Sequence, residues 1–227
     1  FKLDVPAAIR TLAEQQPALL LLCNPNNPTG TVMTPAELLP LLKAAQCPVL
    51  VDEAYIEFCP EVSLFGLQEQ FPNLIIMRTF SKAYGLASAR VGYMTARPEL
   101  VGLLERVLLP YHVNAMSLAA AETVYAMRTA FGADIAQTIA ERQRMAAALA
   151  ALSVQVYPSG TNFLFCRFKD ADEAAALFEF LGQNDIGIRD FSRKPLLGGV
   201  RITIGTPAEN DQVLKMVSQF LGSRGAV

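Results

Sequence analysis

Short apolar runs alternate with amphipathic stretches along the first half of the chain. Residues 18–23, 48–51 and 74–77 are continuous apolar runs, of a length that suits strands buried on both faces. Between the first two, residues 34–37 combine a capping box with proline in the first helical position, which predicts a helix start. Strands that alternate with helices in this way predict an α/β domain with a mainly parallel sheet.

The pattern changes after residue 153. Alternating apolar residues there predict short, half-exposed strands, and two helices begin after Asp170 and Thr206. The predicted strands are residues 154–157, 162–168, 186–189 and 200–204. The connecting helices are predicted at residues 99–109, 115–130 and 135–152. We therefore predict an α/β domain over residues 1–133 and a small α+β domain over residues 134–227.

Polar side chains cluster where the third apolar run ends. Thr79 and Ser81 stand directly before Lys82, and Arg90 follows eight residues later. Hydroxyls and a guanidinium bind phosphate, and a lysine amine forms a Schiff base with an aldehyde. The combination suggests pyridoxal phosphate as a cofactor. Taken alone, the same residues also fit a solvated loop with no chemical role.

Two more polar clusters follow the first and second runs. Residues 24–30 contain two prolines, three asparagines and a glycine, which predicts a tight loop that presents the Asn27 amide. Asp52 and Tyr55 follow the second run, three residues apart. Parallel strands place their carboxyl ends at one edge of the sheet, where α/β proteins bind ligands. The alternatives are an ordinary turn at Asn27, and a helix cap followed by a core tyrosine.

Composition narrows the function classes. The 227 residues are 52% hydrophobic and 18% charged, with a net charge of -2, which gives no electrostatic case for nucleic-acid binding. The longest apolar run, residues 18–23, is too short to span a membrane. The four cysteines have no paired spacing, so we expect no metal site and a reducing, cytoplasmic setting. His112, the single histidine, is interpreted as structural.

Together these sequence segments resemble the aspartate-aminotransferase type of pyridoxal phosphate enzyme, which has fold type I. Within that type they resemble the histidinol-phosphate aminotransferases most closely. The resemblance covers the whole chain and is carried by residues 23–30, 51–55 and 78–82, with support from residues 201–206. It implies a partial three-layer α/β large domain, a small C-terminal domain and a homodimer. It also implies amino-group transfer between histidinol phosphate and glutamate or 2-oxoglutarate.

The resemblance also implies roles for single residues. Lys82 would bind the cofactor covalently and move the proton, and Asp52 would pair with the pyridine nitrogen. Asn27 and Tyr55 would hydrogen-bond the phenolic oxygen. The cofactor phosphate would be bound by Thr79, Ser81 and Arg90. We expect Arg201 to bind the anionic group that both substrates carry, and Arg189 to bind the additional charge of the phosphate. The alternative for Arg189 is an ordinary ion pair at the surface.

The chain departs from this family at its beginning. It starts at Phe1 inside a helical pattern, and the N-terminal part of the family's enzymes has no counterpart. That part supplies phosphate-binding amides and an aromatic ring stacked on the cofactor, so we expect a fragment that turns over poorly alone. The alternatives are threonine-phosphate decarboxylase, an aromatic aminotransferase of the same fold, and a catalytically inactive truncated polypeptide. His112 stands where the family commonly has asparagine.

Overall fold

The computed structural model describes residues 1–194 and 197–224. Within it the chain forms two compact units. Unit 1 consists of Phe1–Pro25 and Val32–Ala133, and unit 2 consists of Asn26–Thr31 and the chain from Asp134 onward. The loop that carries Asn27 therefore belongs to unit 2, although the strand before it belongs to unit 1.

Unit 1 contains a four-stranded sheet in the order β1-β2-β3-β4. Its first three strands are parallel, and β4 runs antiparallel to β3, so the predicted mainly parallel sheet is confirmed. The strands are β1 Leu20–Cys23, β2 Val49–Asp52, β3 Leu74–Thr79 and β4 Gly92–Thr95. The helices are α1 Val5–Gln15, α2 Pro35–Ala44, α3 Pro98–Glu105 and α4 Ala115–Ala126.

The core of unit 1 forms where α2 packs on one face of this sheet. The capping box predicted at Thr34 and Glu37 is present, and it fixes the start of α2. The fully buried residues are Leu38, Leu41 and Leu42 of α2 with Val49, Val51, Leu74 and Ile76 of the sheet. This packing holds the carboxyl ends of β2 and β3 at fixed positions.

The prediction that the first apolar run is buried on both faces is wrong. Leu20 and Leu22 pack against the core, whereas Leu19 and Leu21 are 45% and 65% exposed. Successive side chains of a strand point to opposite faces, and the second face of β1 is open in the described part of unit 1. An unbroken apolar run does not by itself show which face is covered.

Unit 2 is built on an antiparallel sheet in the order β5-β6-β8-β7. Its strands are β5 Gln155–Val156, β6 Phe163–Arg167, β7 Arg189–Phe191 and β8 Gly199–Thr203. Its helices are α5 Gly132–Ala151, α6 Ala171–Gln183 and α7 Pro207–Arg224. Side chains of these helices, such as Leu149, Leu177 and Val217, form one core with Leu164 and Ile202 of the sheet.

Three further predictions of local structure are corrected. The strand predicted as half-exposed at residues 162–168 is buried on both faces in β6, because its alternate residues pack into the helical core and against aromatic rings. The strand predicted at residues 186–189 lies at Arg189–Phe191, since Ile186 and Ile188 pack against the core outside the ladder. Helix α3 ends at Glu105 rather than at residue 109, and the apolar residues beyond it are exposed.

The described residues contain no helix with the length and apolar character needed to cross a membrane. They also contain no group of three or more histidine, cysteine, aspartate or glutamate side chains arranged to hold a metal ion.

Candidate active site

Unit 1 contains a cavity of about 680 Å³ at the carboxyl ends of β2 and β3. A volume of this size suits a small organic ligand. Five of the residues predicted from the sequence line it: Asp52, Thr79, Ser81, Lys82 and Arg90. The sheet therefore brings together side chains that lie as many as 38 residues apart, 52 to 90, in the chain.

Lys82 lies at the open side of this cavity, above an aromatic ring. Its Nζ is 5.4 Å from the centroid of the Tyr55 ring. Tyr55 is 5% exposed, so it is a fixed platform, whereas Lys82 is exposed. Tyr55 does not line the cavity, so its ring contacts the lysine side chain from outside the cavity wall. That Asp52 and Tyr55 face one ligand stays a prediction.

The two hydroxyl groups before Lys82 are held together by local hydrogen bonds. Thr79 Oγ1 lies 2.9 Å from Ser81 Oγ and accepts a hydrogen bond from the Ser81 backbone N–H at 3.1 Å. Phe80, between them, is buried and packs on the Tyr93 ring at a centroid distance of 5.7 Å. Both residues line the cavity. Because Thr79 donates its hydroxyl hydrogen to Ser81 Oγ, the Ser81 hydroxyl is the one whose hydrogen can be donated to an anion there.

Asp52 and Glu53 leave the end of β2 in different directions. Asp52 is half-buried and lines the cavity, and its Oδ1 accepts a hydrogen bond from the Ala54 N–H at 2.9 Å. Glu53 is fully buried and is absent from the cavity wall. One carboxylate is thus available to a ligand, and its neighbour in the chain is part of the interior.

Glu53 organises a buried network that sequence reasoning missed. Its Oε2 accepts hydrogen bonds from Arg78 Nε at 3.0 Å and Nη2 at 2.8 Å, and its Oε1 accepts from the Leu64 N–H at 2.7 Å. The Ser63 hydroxyl donates to the same carboxylate at 3.0 Å. Burial lowers the pKa of Arg78, but attraction and hydrogen bonding to Glu53, with further contributions from Tyr93, together raise it above its usual value. The sequence contained one indication of this arrangement: successive side chains at the end of a strand point to opposite faces, so Glu53 points away from the face that carries Asp52.

Arg90 and His112 complete the described cavity. Arg90 has a φ of 54° and donates from Nη1 to the Ala87 carbonyl at 3.0 Å, so its exposed guanidinium is held near the loop that carries Lys82. His112 lines the cavity, and its Nδ1 lies 2.9 Å from the Leu109 carbonyl oxygen. A carbonyl only accepts, so Nδ1 carries the hydrogen, and this bond gives His112 a structural role in the loop after α3.

Asn27 lies in unit 2, in a loop that is docked on the start of the small sheet. The Gly30 carbonyl accepts a hydrogen bond from the Gly160 N–H at 2.8 Å. Gly30 has a φ of 75°, and a Cβ there would lie 2.5 Å from Ser159 Oγ, so the loop requires glycine at this position. Asn27 Oδ1 accepts a hydrogen bond from Arg201 Nη1 at 2.7 Å, which orients the amide and leaves its nitrogen as a donor.

Arg201 and Arg189 are neighbours across the ladder between β8 and β7. They are directly paired in its register, so their side chains leave the same face of the sheet. The Arg201 guanidinium lies 4.7 Å from the centroid of the Phe163 ring. Arg189 is exposed and makes no ion pair within the residues that the structure describes. Two guanidinium groups on one face can bind one anion of high charge.

The comparisons with known proteins agree on one family. The family model for aminotransferase class I and II matches residues 1–217. Histidinol-phosphate aminotransferase of Nocardia farcinica is 40% identical over 225 residues, which is 98% of this chain and 57% of that protein.

Solved structures support the fold. The histidinol-phosphate aminotransferase of Sinorhizobium meliloti, in complex with pyridoxal 5'-phosphate, matches with a TM-score of 0.88 at 28% identity, over 97% of this chain and 62% of that one. The L-threonine-O-3-phosphate decarboxylase of Porphyromonas gingivalis matches with a TM-score of 0.79 at 32% identity, over 90% of this chain and 64% of that one.

The chain thus spans about 60% of the length of the relatives it matches. The family match covers nearly all of its residues, and the neighbours share the fold predicted from the sequence. The chain belongs to the class I and II aminotransferase family.

Proposed function

We propose that this chain serves a pyridoxal phosphate-dependent transfer of an amino group between histidinol phosphate and 2-oxoglutarate. The observation that carries the proposal is the cavity in unit 1, where an amine, a carboxylate and two hydroxyls meet at the ends of two strands. The relatives at 37 to 40% identity, all named histidinol-phosphate aminotransferase, support this choice of substrate.

The side chains in this cavity fit a cofactor that carries a phosphate, an aldehyde and a pyridine ring. Thr79 and Ser81 present hydroxyls, and Arg90 presents a guanidinium, so these three would bind the phosphate. The Asp52 carboxylate would bind the protonated pyridine nitrogen and keep it cationic. When bound, the cofactor withdraws electrons from the bonds at the substrate α-carbon.

Lys82 would be the covalent attachment point and the residue that moves the proton. Its Nζ would hold the cofactor, and its amine would serve as the general acid-base that takes the proton from the substrate α-carbon and gives it back. The Tyr55 ring below the amine limits the positions that Nζ can occupy. Tyr55 and Asn27 would donate hydrogen bonds to the phenolic oxygen and stabilise it as an anion.

Arg201 and Arg189 would recognise the substrates. Glutamate carries a carboxylate where histidinol phosphate carries its phosphate, so one planar guanidinium on Arg201 can pair with either anion. The phosphate has the higher charge and can use the second cation, Arg189, on the same face of the sheet. The absence of an ion pair to Arg189 among the described residues favours this role over a structural surface contact.

We further propose that residues 1–133 are the C-terminal portion of a cofactor-binding large domain and residues 134–227 a small domain. The protein would work in the cytoplasm as a homodimer, on small-molecule substrates. The scattered cysteines, which form no disulfide, and the near-neutral net charge support this setting.

One assay distinguishes the proposed amino transfer from the decarboxylation of threonine phosphate by an enzyme of the same fold. Because the chain alone is expected to turn over poorly, the full-length protein is used. It is loaded with cofactor and given histidinol phosphate with 2-oxoglutarate, or threonine phosphate, and glutamate and carbon dioxide are measured. We expect glutamate from the first mixture and no carbon dioxide from the second. Carbon dioxide from threonine phosphate would instead favour the decarboxylase, which the similarity to the Porphyromonas gingivalis enzyme keeps as the second candidate.

A further inference from the structure

The imidazole ring of histidinol phosphate has no assigned contacts in the proposed reaction. In that reaction Lys82 receives the carbon that carries the amine, and Arg201 and Arg189 receive the phosphate. The cavity of unit 1 meanwhile has wall residues that the reaction does not use, on the side of helix α3. We call these residues the α3 side: Met77, Met94, Ala96, Val101, Leu104, Glu105, Leu108, His112 and Val113.

The α3 side is mainly apolar and is formed by two paired strands and one face of a helix. Met77 and Met94 are directly paired across the ladder of β3 and β4, so their side chains leave the same face of the sheet. Met94 and Leu108 are 41% and 44% exposed, so part of this apolar surface is uncovered within the described residues. An apolar ring would cover it, and methionine side chains adapt to the shape of such a ring. The residues contributed by α3 and the turn after it have the spacing of one helix face, i, i+3, i+4 and i+7: Val101, Leu104, Glu105 and Leu108.

Glu105 is the one carboxylate on this apolar side of the cavity. It is the last residue of α3, where the helix dipole disfavours a negative charge. It is exposed, and it makes no ion pair within the part of the chain that the structure describes. A charge that is unfavourably placed and has no partner breaks a local rule of stability, and such positions are expected at functional sites.

The ionisable groups of the cavity wall are unevenly distributed. The α3 side contributes only Glu105 and His112, and His112 Nδ1 already donates to the Leu109 carbonyl. In the neutral ring Nε2 is therefore an acceptor. The α3 side thus offers acceptors beside an apolar surface, which suits a ring with an N–H group. The other ionisable residues on the wall, which include all of its cations, are Asp52, Arg78, Lys82, Arg90 and Tyr93.

We propose that the α3 side is the binding site for the imidazole ring of the substrate, and that Glu105 is the residue that selects it. The ring lies against Met77 and Met94, and its N–H donates to a carboxylate oxygen of Glu105. Glutamate has a second carboxylate in place of the ring, which Glu105 repels, so Glu105 favours histidinol phosphate over glutamate. The inference rests on the proposed function in taking the ring to belong to histidinol phosphate.

Binding of the ring alone is measured on the cofactor-loaded full-length protein with 4-methylimidazole, at pH 8.5, by NMR of labelled methionine methyl groups. The control ligand is its isomer 1-methylimidazole, which has no N–H in the neutral form. Glu105→Ala is compared with Glu99→Ala, since Glu99 is an exposed glutamate of the same helix that is absent from the cavity wall. The signals of Met77 and Met94 are assigned through Met77→Leu and Met94→Leu.

We expect 4-methylimidazole to shift the signals of Met77 and Met94, with a dissociation constant about fivefold to tenfold below that of 1-methylimidazole, as one hydrogen bond to a charged group would give. Glu105→Ala should abolish this difference, and Glu99→Ala should retain it. In single-turnover measurements, Glu105→Ala should weaken the binding of histidinol phosphate by about the same factor. The half-reaction with glutamate should show no loss, which separates a role in selection from general damage to the protein.

Equal affinities for the two ligands in the unmodified protein would overturn the proposal, as would an undiminished difference in Glu105→Ala or shifts confined to other methionines. Equal losses for histidinol phosphate and glutamate in Glu105→Ala would also overturn it. The proposed function is scored separately by amino transfer in the unmodified protein. Ring binding that depends on Glu105 without amino transfer keeps the ring site and removes the proposed function, whereas amino transfer without such binding does the reverse.

Discussion

The two units of this protein place their polar side chains in different ways. In unit 1, the adjacent residues Asp52 and Glu53 have separate roles. Asp52 lines the cavity, whereas Glu53 is buried in a hydrogen-bonded network. In unit 2, Arg201 combines both tasks, because it orients Asn27, packs on the Phe163 ring and lies beside Arg189. Substitutions in unit 1 should therefore change either stability or chemistry, whereas a change at Arg201 should affect several properties together.

The largest effect on stability is expected at Glu53. Glu53→Gln leaves the Arg78 guanidinium half-buried beside a neutral partner, which typically costs about 3 to 5 kcal/mol. Urea unfolding of the chain should show this loss in the free energy of unfolding. The exposed control Glu61→Gln should change it by less than about 0.5 kcal/mol. Equal stability of the two variants would contradict the division between Asp52 and Glu53.

A substitution of Asp52 tests whether this residue contributes to the chemistry and not to stability. In Asp52→Asn the amide oxygen can still accept from the Ala54 N–H, so the free energy of unfolding should remain unchanged. The neutral side chain cannot keep a pyridine nitrogen cationic, and in the full-length protein the single-turnover rate of amino transfer should fall by about 10² to 10³. Asp134→Asn, at an exposed position in the first turn of α5, is the control. A stable Asp52→Asn with an undiminished rate would show that Asp52 has no chemical role.

Substitutions of Arg201 and Arg189 test whether Arg201 serves both substrates while Arg189 serves one. In the full-length protein, Arg201→Lys should weaken both half-reactions, because an ammonium group cannot form the planar pair with either anion. Arg189→Ala should weaken histidinol phosphate alone, by about 1.5 to 3 kcal/mol, the range for a charged hydrogen bond. Single-turnover measurements with each substrate separate the two cases. Equal losses for glutamate and histidinol phosphate in Arg189→Ala would contradict its assignment to the phosphate.

Glu57, in the 3-10 turn Ile56–Phe58, is expected to change stability in a way that depends on pH, because burial raises its pKa. Its pKa of about 7 in the fold exceeds that of an unfolded glutamate, so between pH 4.5 and 7 the folded chain keeps a proton that the unfolded chain has lost. Stability from this group is complete below pH 4.5 and falls as the pH rises to 7. Glu57→Gln should therefore match the unmodified chain near pH 4.5 and exceed it by about 3 kcal/mol at pH 8, since each unit of pKa shift corresponds to about 1.4 kcal/mol. A constant difference across this range would contradict the shifted pKa.

Features that depend on neighbouring residues could be predicted from the sequence. The capping box at Thr34, the parallel strands and the hydroxyl pair before Lys82 are all encoded within a few residues, and the structure contains each of them. The order of apolar runs also predicted which strand ends would meet, since parallel strands share an edge. The sequence thus predicted five of the polar residues that line the cavity of unit 1, whereas Tyr55 is absent from its wall and Arg78 lines it without having been predicted.

Features that depend on distant residues could not be predicted in this way. The bond between Arg201 and Asn27 joins residues 174 positions apart, and that between Arg78 and Glu53 joins residues 25 apart. The exposed face of β1 was also missed, because an apolar run does not show what lies against each of its faces. Local patterns determine the elements, whereas the contacts between elements also depend on packing and register.

The position of cofactor attachment is the most direct test of the central claim. The chain is incubated with pyridoxal 5'-phosphate, reduced with borohydride, digested, and mapped by mass spectrometry. The account predicts a pyridoxyl group on Lys82, the only lysine on the wall of the cavity formed by the described residues, and its loss in Lys82→Ala but not in Lys43→Ala. A label on Lys43, Lys169 or Lys194 in place of Lys82, or no label at all, would contradict it.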